Sequence, residues 1–193
     1  MNEDTILVLI NGHAGVGKDT FAGFCRDYAE SKKDCRVYNI HRSDAPKVAL
    51  QNLGWNGEKD TETRDLLKHM VDFMESKGLL DRYLQENIKT ARTINNCPTI
   101  VFYHVRDPEV MYRLMDEYID TDGIKPISLL VKRDIETPNE PDEWWGNLEN
   151  AEYQMTLQLS NNIESSEEAA KGFVDFLLDE GWVVVRQEDE NEL

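Results

Sequence analysis

Near its N-terminus the chain reads Thr5-Ile6-Leu7-Val8-Leu9-Ile10-Asn11-Gly12-His13-Ala14-Gly15-Val16-Gly17-Lys18-Asp19-Thr20. The first six residues form a short, continuous apolar run, the pattern of a parallel strand buried on both faces. Beyond the run, Phe21, Phe24, Cys25, Tyr28 and Ala29 recur at i, i+3, i+4, i+7 and i+8, one apolar face of a helix. Between strand and helix lies G-x-x-x-x-G-K, from Gly12 to Lys18. Glycines at these places let successive backbone N–H groups curl around phosphate oxygens without a Cβ in the way. The following helix turns its positive end toward the same anion, and Lys18 reaches the outer phosphates as a point charge. The position after the lysine, usually Ser or Thr, is Asp19, with Thr20 behind it. A carboxylate is a hard oxygen ligand suited to Mg²⁺, and the Thr20 hydroxyl is a second candidate for that ion.

Outward from this stretch, strands and helices alternate. Arg36-Val37-Tyr38-Asn39-Ile40, Thr99-Ile100-Val101-Phe102-Tyr103 and Ile127-Ser128-Leu129-Leu130-Val131 read as further strands, and Trp182-Val183-Val184-Val185 as a fifth. Residues 46–88 read as helical, with Val48, Ala49 and Leu53 before the turn Gly54-Trp55-Asn56-Gly57. Leu66, Leu67, Met70, Val71 and Met74 follow as a stripe, and Leu80, Tyr83, Leu84 and Ile88 come after a break at Gly78. Pro108 is placed to open a helix with Met111, Leu114, Met115 and Tyr118 inward. Ser165 with Glu168 resembles a capping box ahead of Ala169, Phe173, Val174 and Leu177. The expected fold is α/β: a three-layer P-loop sandwich, five parallel strands with helices on both faces, over residues 1–193 as one domain. Within it, residues 44–95 form a helical region, residues 132–147 an irregular lid, and residues 188–193 an acidic frayed tail.

Composition narrows the partners. A net charge of −17 with no basic stripe argues against polymeric nucleic acid. A small anion remains compatible with it, since local arginines and backbone amides outweigh a distant, screened field. No apolar run approaches the roughly 20 residues that span a bilayer. The acidic Met1-Asn2-Glu3-Asp4 is unlike a secretory n-region, so the expected location is cytoplasmic. Cys25, Cys35 and Cys97 lack CxxC spacing and read as reduced thiols. A homodimer is compatible with the sequence, which does not fix the oligomeric state.

Gly17-Lys18-Asp19-Thr20 resembles the loop of the phage-type deoxynucleoside monophosphate kinases, in which Asp stands in the Ser or Thr position. Four further elements follow in that family's order. Ser43-Asp44-Ala45-Pro46-Lys47 resembles its Ala-Asp-Pro-Leu-Lys element. Gly54-Trp55-Asn56-Gly57-Glu58-Lys59-Asp60 with Arg64 and Leu66-Leu67 is similar to its Gly-Trp-x-Gly-x-Lys-Asp segment. Val105-Arg106-Asp107-Pro108-Glu109 is similar to its Asp-Val-Arg-Phe-Pro-Asn-Glu turn, shortened by one residue. Asn161-Asn162-Ile163-Glu164-Ser165 resembles its Asn-x-Gly-Thr segment. The resemblance implies transfer of the γ-phosphoryl group of ATP, with Mg²⁺, to a nucleoside monophosphate. Residues 12–20 would hold ATP, that is Gly12, His13, Ala14, Gly15, Val16, Gly17, Lys18, Asp19 and Thr20. Asp44, Arg64 and Arg106 would line the acceptor side, within residues 44–95. Lys18, Arg106 and Lys132 or Arg133 would act on the transferring group.

The chain departs from that pattern at His104, where the family carries an acidic residue at the end of the third strand, and at His69-Met70-Val71 in place of a Gly-Thr. Asp19 or Asp107 is available to substitute for the missing acid. A nucleotide-binding regulator without turnover therefore stays open beside the kinase. A GTPase-type switch is disfavoured, because no Asn-Lys-x-Asp motif follows a strand. His104 by itself reads as a hydrogen-bonded strand-end residue, and His41 and His69 have no companions at ligand spacing along the chain. Trp144-Trp145 reads equally as a base-stacking pair or as an anchor for the lid.

Overall fold

The apolar run beginning at Thr5 becomes β1 (Thr5–Asn11), buried at every residue. In chain order α1 (Lys18–Lys32), β2 (Arg36–His41), α2 (Asp44–Asn52), α3 (Thr61–Ser76), α4 (Leu79–Ile94) and β3 (Thr99–His104) follow. After them come α5 (Pro108–Ile119), β4 (Ile124–Arg133), β5 (Met155–Leu159) and α6 (Ile163–Asp179). The computed structural model describes residues 5–58, 60–94, 97–134, 148 and 150–179. The five strands form one sheet in the order β2-β3-β1-β4-β5, and every pairing is parallel. β1 is thus the central strand, which explains why its run is apolar on both faces.

Alternation along the strands divides the core in two. Ile6, Val8, Ile10, Ile100, Phe102, Ile127 and Leu129 face α1 and α6, whose Phe21, Cys25, Phe173 and Val174 cover them. Leu7, Leu9, Val101 and Tyr103 face the opposite way, against Leu84 and Ile88 of α4 and Met111 and Leu114 of α5. Phe21 joins the layers of the first core, with its ring 6.3 Å from Phe102 and 5.5 Å from Phe173. Pro126 lies within a strand paired on one side to β1, opposite Leu7. It is tolerated because β5 begins its pairing only at Leu129, so no neighbour on that edge needs a backbone N–H from residue 126.

The architecture agrees with the expected five parallel strands around β1, with four differences in detail. The fifth strand is β5, which alternates half-buried with exposed residues as an edge strand does; Trp182-Val183-Val184-Val185 lies outside the described residues. The cap of the last helix is Asn162, whose Oδ1 accepts from Glu164 N at 2.9 Å, so Ser165 sits inside the first turn. The second helix starts at Asp44, two residues before Pro46. Val48, Leu53 and Leu66, expected inward, are exposed, while Leu67 beside Leu66 is buried. The tail at residues 188–193, and the proposed lid beyond Asp134, also lie outside the described residues. The thiols of Cys25, Cys35 and Cys97 are free, and no described helix is long and apolar enough to cross a membrane.

Because Phe21 packs against both the sheet and α6, Phe21→Ala should cost about 3–5 kcal/mol of stability in urea unfolding. Phe73→Ala, on the exposed face of α3, should change it by less than about 0.5 kcal/mol. Equal losses in the two variants would contradict this account of the core.

Candidate phosphate-binding site

Helices after β1 lie on one face of the sheet, whereas those before β3 and after it lie on the other. Adjacent strands whose connections leave to opposite faces open a crevice at their C-terminal ends, where ligands of open α/β sheets bind. The glycine loop of residues 12–17 occupies this position, between β1 and α1.

Backbone conformation makes the loop a cradle. Gly12, Gly15 and Gly17 have φ of 141°, 81° and 94°, values that side chains other than glycine's rarely allow. Gly12 lies so close to β4 that a Cβ there would collide with the Val131 carbonyl. Asn11, fully buried, stiffens this corner: its Oδ1 accepts from Gly12 N at 2.7 Å and its Nδ2 donates to Arg106 O at 3.3 Å. Val16 is buried beneath the loop. Gly17 stands at the N-cap of α1 in the left-handed region, with no side chain capping the helix. A helix N-terminus with no capping side chain is the arrangement that suits an anion.

Two cations flank the cradle. Lys18 Nζ donates to Gly12 O at 2.5 Å and His13 O at 2.8 Å, lying over the loop it is expected to serve. Arg133, from the end of β4, lays its guanidinium across Gly17, within 3.2–3.4 Å of where a Cβ would project. Its Nη2 donates to Ser166 Oγ at 3.4 Å, and the single proton of that hydroxyl is shared between the carbonyls of Ser160 and Asn162. Asn161 Nδ2 donates to Asp134 O at 3.4 Å. The Asn161-Asn162 segment thus ties the start of α6 to the end of β4 and braces the arginine.

The other expected residues are more dispersed. Asp44 is committed to local structure: Oδ2 accepts from His41 N at 2.7 Å and Oδ1 from Lys47 Nζ at 3.1 Å. Arg106 is exposed at the end of β3, its carbonyl held by Asn11. Arg64 is exposed on the first turn of α3 and takes part in none of these contacts. Asp107 caps α5 by accepting from Glu109 N at 2.9 Å, so it is engaged away from the third strand's acid position. Thr20 is exposed on α1, Lys132 is half-buried, and Lys59 and Trp144-Trp145 lie outside the described residues.

A feature not legible along the chain is the grouping around Asp19. β2 and β3 pair with His41 directly opposite His104, which corrects the expectation that His41 has no companion. Asp19 Oδ1 stands 2.9 Å from His41 Nε2 and accepts from Asn39 Nδ2 at 3.2 Å. His104 Nε2 and Asn39 Oδ1 are 2.6 Å apart, with the ring as donor when that nitrogen carries the proton. Burial, and then the neighbouring His41, push the His104 pKa down to about 3. At the end of β3 this chain therefore carries a neutral ring. Partial burial acts to raise the Asp19 carboxyl, but His104, His41, the Asn39 amide and Lys18 together hold it below its usual value. The carboxylate expected to bind Mg²⁺ thus sits among imidazole nitrogens, a poor match for an ion that demands oxygen ligands.

A parallel sheet with a glycine cradle between its central strand and the first helix is a P-loop α/β sandwich. No family model matches the chain, and no curated protein is similar to it in sequence. Among solved structures it is similar to the Mycobacterium tuberculosis APS kinase CysC in complex with AMPPNP and APS. The two share 14% identity over 91% of this chain and 98% of that one, with a TM-score of 0.47. The Deinococcus radiodurans tunicamycin resistance protein is 16% identical over 88% and 95%, with a TM-score of 0.46. A de novo designed P-loop protein, PLOOP2X3_50, is 11% identical over 92% and 96%, with a TM-score of 0.37. At these values the likenesses add nothing to what strand order and loop geometry establish.

The collision at Gly12 has a measurable consequence. Gly12→Ala should lower stability by about 2 kcal/mol or more, through steric strain at a left-handed position. Gly23→Ala, inside α1 with open space around its Cβ, should raise stability by about 0.5–1 kcal/mol. A thermal or urea series in which the two alanines behave alike would contradict the cradle geometry.

Proposed function

We propose that the protein transfers the γ-phosphoryl group of ATP to a small acceptor, of which a (deoxy)nucleoside monophosphate is the leading class. The observation that carries this reading is Arg133. A guanidinium anchored by Ser166 and laid against the last glycine of a phosphate cradle serves poorly as plain surface charge. It is well suited to neutralise charge spreading over a transferring phosphoryl group. Phosphoryl transfer asks little covalent chemistry of a protein; it asks for donor and acceptor held in line and for compensating charge. On this reading the amides of residues 13–18 hold the donor phosphates. Lys18 leaves the carbonyls of Gly12 and His13 to meet the outer phosphates, and Arg133 works on the group in flight. The acceptor side is assigned to α2 and α3 with Arg106, on the resemblance of residues 43–47, 54–60 and 105–109 to the phage-type kinases.

A second reading, a nucleotide binder without turnover, is favoured by one observation: the neutral His104 where the family carries a carboxylate. The two separate in one assay, ATP with a panel of nucleoside monophosphates scored for diphosphate products. Turnover with at least one monophosphate is the expected result; ATP binding with no product from any of them selects the binder.

Two substitutions sharpen the assignment. Lys18→Ala should abolish measurable ATP binding in calorimetry while costing no more than about 1–2 kcal/mol of stability, the value of its two loop hydrogen bonds. Arg133→Ala should weaken ATP binding only modestly but slow transfer by on the order of 10³–10⁵. Unchanged turnover in Arg133→Ala would remove the arginine from the mechanism.

A further inference from the structure

Where α1 covers the C-terminal ends of β2 and β3, three side chains with metal-ligating atoms converge. His41 and His104 occupy one register position of the β2–β3 pair. Their rings stack with centroids 3.9 Å apart and an interplanar angle of 19°. Both Nε2 atoms approach the same oxygen, Asp19 Oδ1, at 2.9 Å and 3.7 Å. One ligand atom from each residue lies within 4.8 Å of the other two. Ligands about 2.0–2.2 Å from a shared ion stand roughly 3–3.5 Å apart, so the three are already near the spacing that coordination requires.

We propose that Asp19, His41 and His104 form a binding site for a divalent transition-metal ion, with Zn²⁺ and Co²⁺ as the candidates, in preference to Mg²⁺. The chemistry of the donor set carries the preference. Two imidazole nitrogens and one carboxylate oxygen suit borderline ions. Mg²⁺ takes near-octahedral oxygen coordination and gives up its waters reluctantly. Three protein ligands leave further positions open to water or an anionic oxygen, as in sites that do chemistry. The path inward is from the Asp19 side: its side chain is 67% exposed, that of His41 30%, and that of His104 8%. Asn39 spans from His104 Nε2 to Asp19 Oδ1; coordination would replace that bridge. Lys18 is near but has its ammonium turned onto the Gly12 and His13 carbonyls. Asp19 also belongs to the first turn of α1, directly after the loop lysine. An ion held there stands beside the phosphate cradle. Any part the ion plays in phosphoryl transfer rests on the phosphoryl-transfer reading, whereas the existence of the site does not.

The test is metal binding by the whole chain, stripped of metal by chelator and free of nucleotide. Calorimetry with Zn²⁺ should show one equivalent bound in the micromolar range or tighter, and Co²⁺ should give ligand-field absorption that Zn²⁺ abolishes and millimolar Mg²⁺ does not. His41→Ala and His104→Gln should each weaken Zn²⁺ binding at least about tenfold, and His69→Ala, exposed on α3, should not. Circular dichroism accompanies each variant; if the buried His104→Gln fails to fold, His41→Ala decides alone. Absent stoichiometric Zn²⁺ binding, affinity unchanged in folded His41→Ala, or displacement of Zn²⁺ by Mg²⁺ at comparable concentration would overturn the site and leave Asp19 as a hydrogen-bond acceptor holding α1 to β2. ATP binding is scored separately. Metal bound without ATP affinity sinks the phosphate reading and keeps the site; ATP bound without metal does the reverse.

Discussion

The contact between Gly12 and the Val131 carbonyl sets the geometry on which the rest depends. It brings the turn after β1 against β4 more closely than any side chain permits. From that approach follow the course of residues 13–17, the left-handed Gly17 at the head of α1, and the meeting of α1 with the end of β4 where Arg133 stands. Asn11 secures the same corner from within, and in doing so links β1 to the β3–α5 turn through Arg106 O. Burial of β1 on both faces fixes the platform. A glycine loop on an edge strand or an exposed strand would lack the rigidity that pre-organised anion binding requires.

Electrostatics explains how a chain of net charge −17 can hold an anion. Outside the site most acidic groups among the described residues are exposed, and their fields fall away within about 8–10 Å at ordinary ionic strength. Inside it the local charges are the positive end of α1, Lys18 and Arg133. Asp19 is the opposing carboxylate, held in its charged form by hydrogen bonds and neighbouring rings. An ion bound at Asp19 would invert the sign of that one unfavourable group, which gives the histidines around it a purpose beyond packing.

Much of the fold was legible because it rests on local patterns. Continuous apolar runs marked β1, β3 and β4, helical spacing marked α1, α4, α5 and α6, and the glycine spacing marked the cradle. β5 was overlooked, although Met155, Leu157 and Leu159 alternate with Thr156 and Gln158; five residues of period two are a weak signal beside a Trp-Val-Val-Val run. Leu66 misled because an apolar residue on a helix that covers little of the sheet need not be buried. The Asp19 grouping was not legible for a different reason. His104 meets Asn39 across 65 residues of chain, and only the in-register pairing of β2 with β3 puts His41 beside it. Arg133 was named from resemblance, but its support by Ser166 and Asn162 depends on how α6 returns to the sheet, which no spacing in the sequence encodes.

On the proposed reading residues 12–20, with Arg133 beside them, form an anion cradle for nucleotide phosphates. Titration of ¹⁵N-labelled protein with ATP, followed by amide and arginine side-chain resonances, tests it residue by residue. The largest shifts should fall on the amides of Gly15, Gly17, Lys18 and Asp19 and on the Arg133 guanidinium, and inorganic triphosphate should reproduce them. Shifts concentrated instead around Gln85, Arg92 and Thr121, which line a groove between α4 and the end of α5, with the loop amides unmoved, would contradict it.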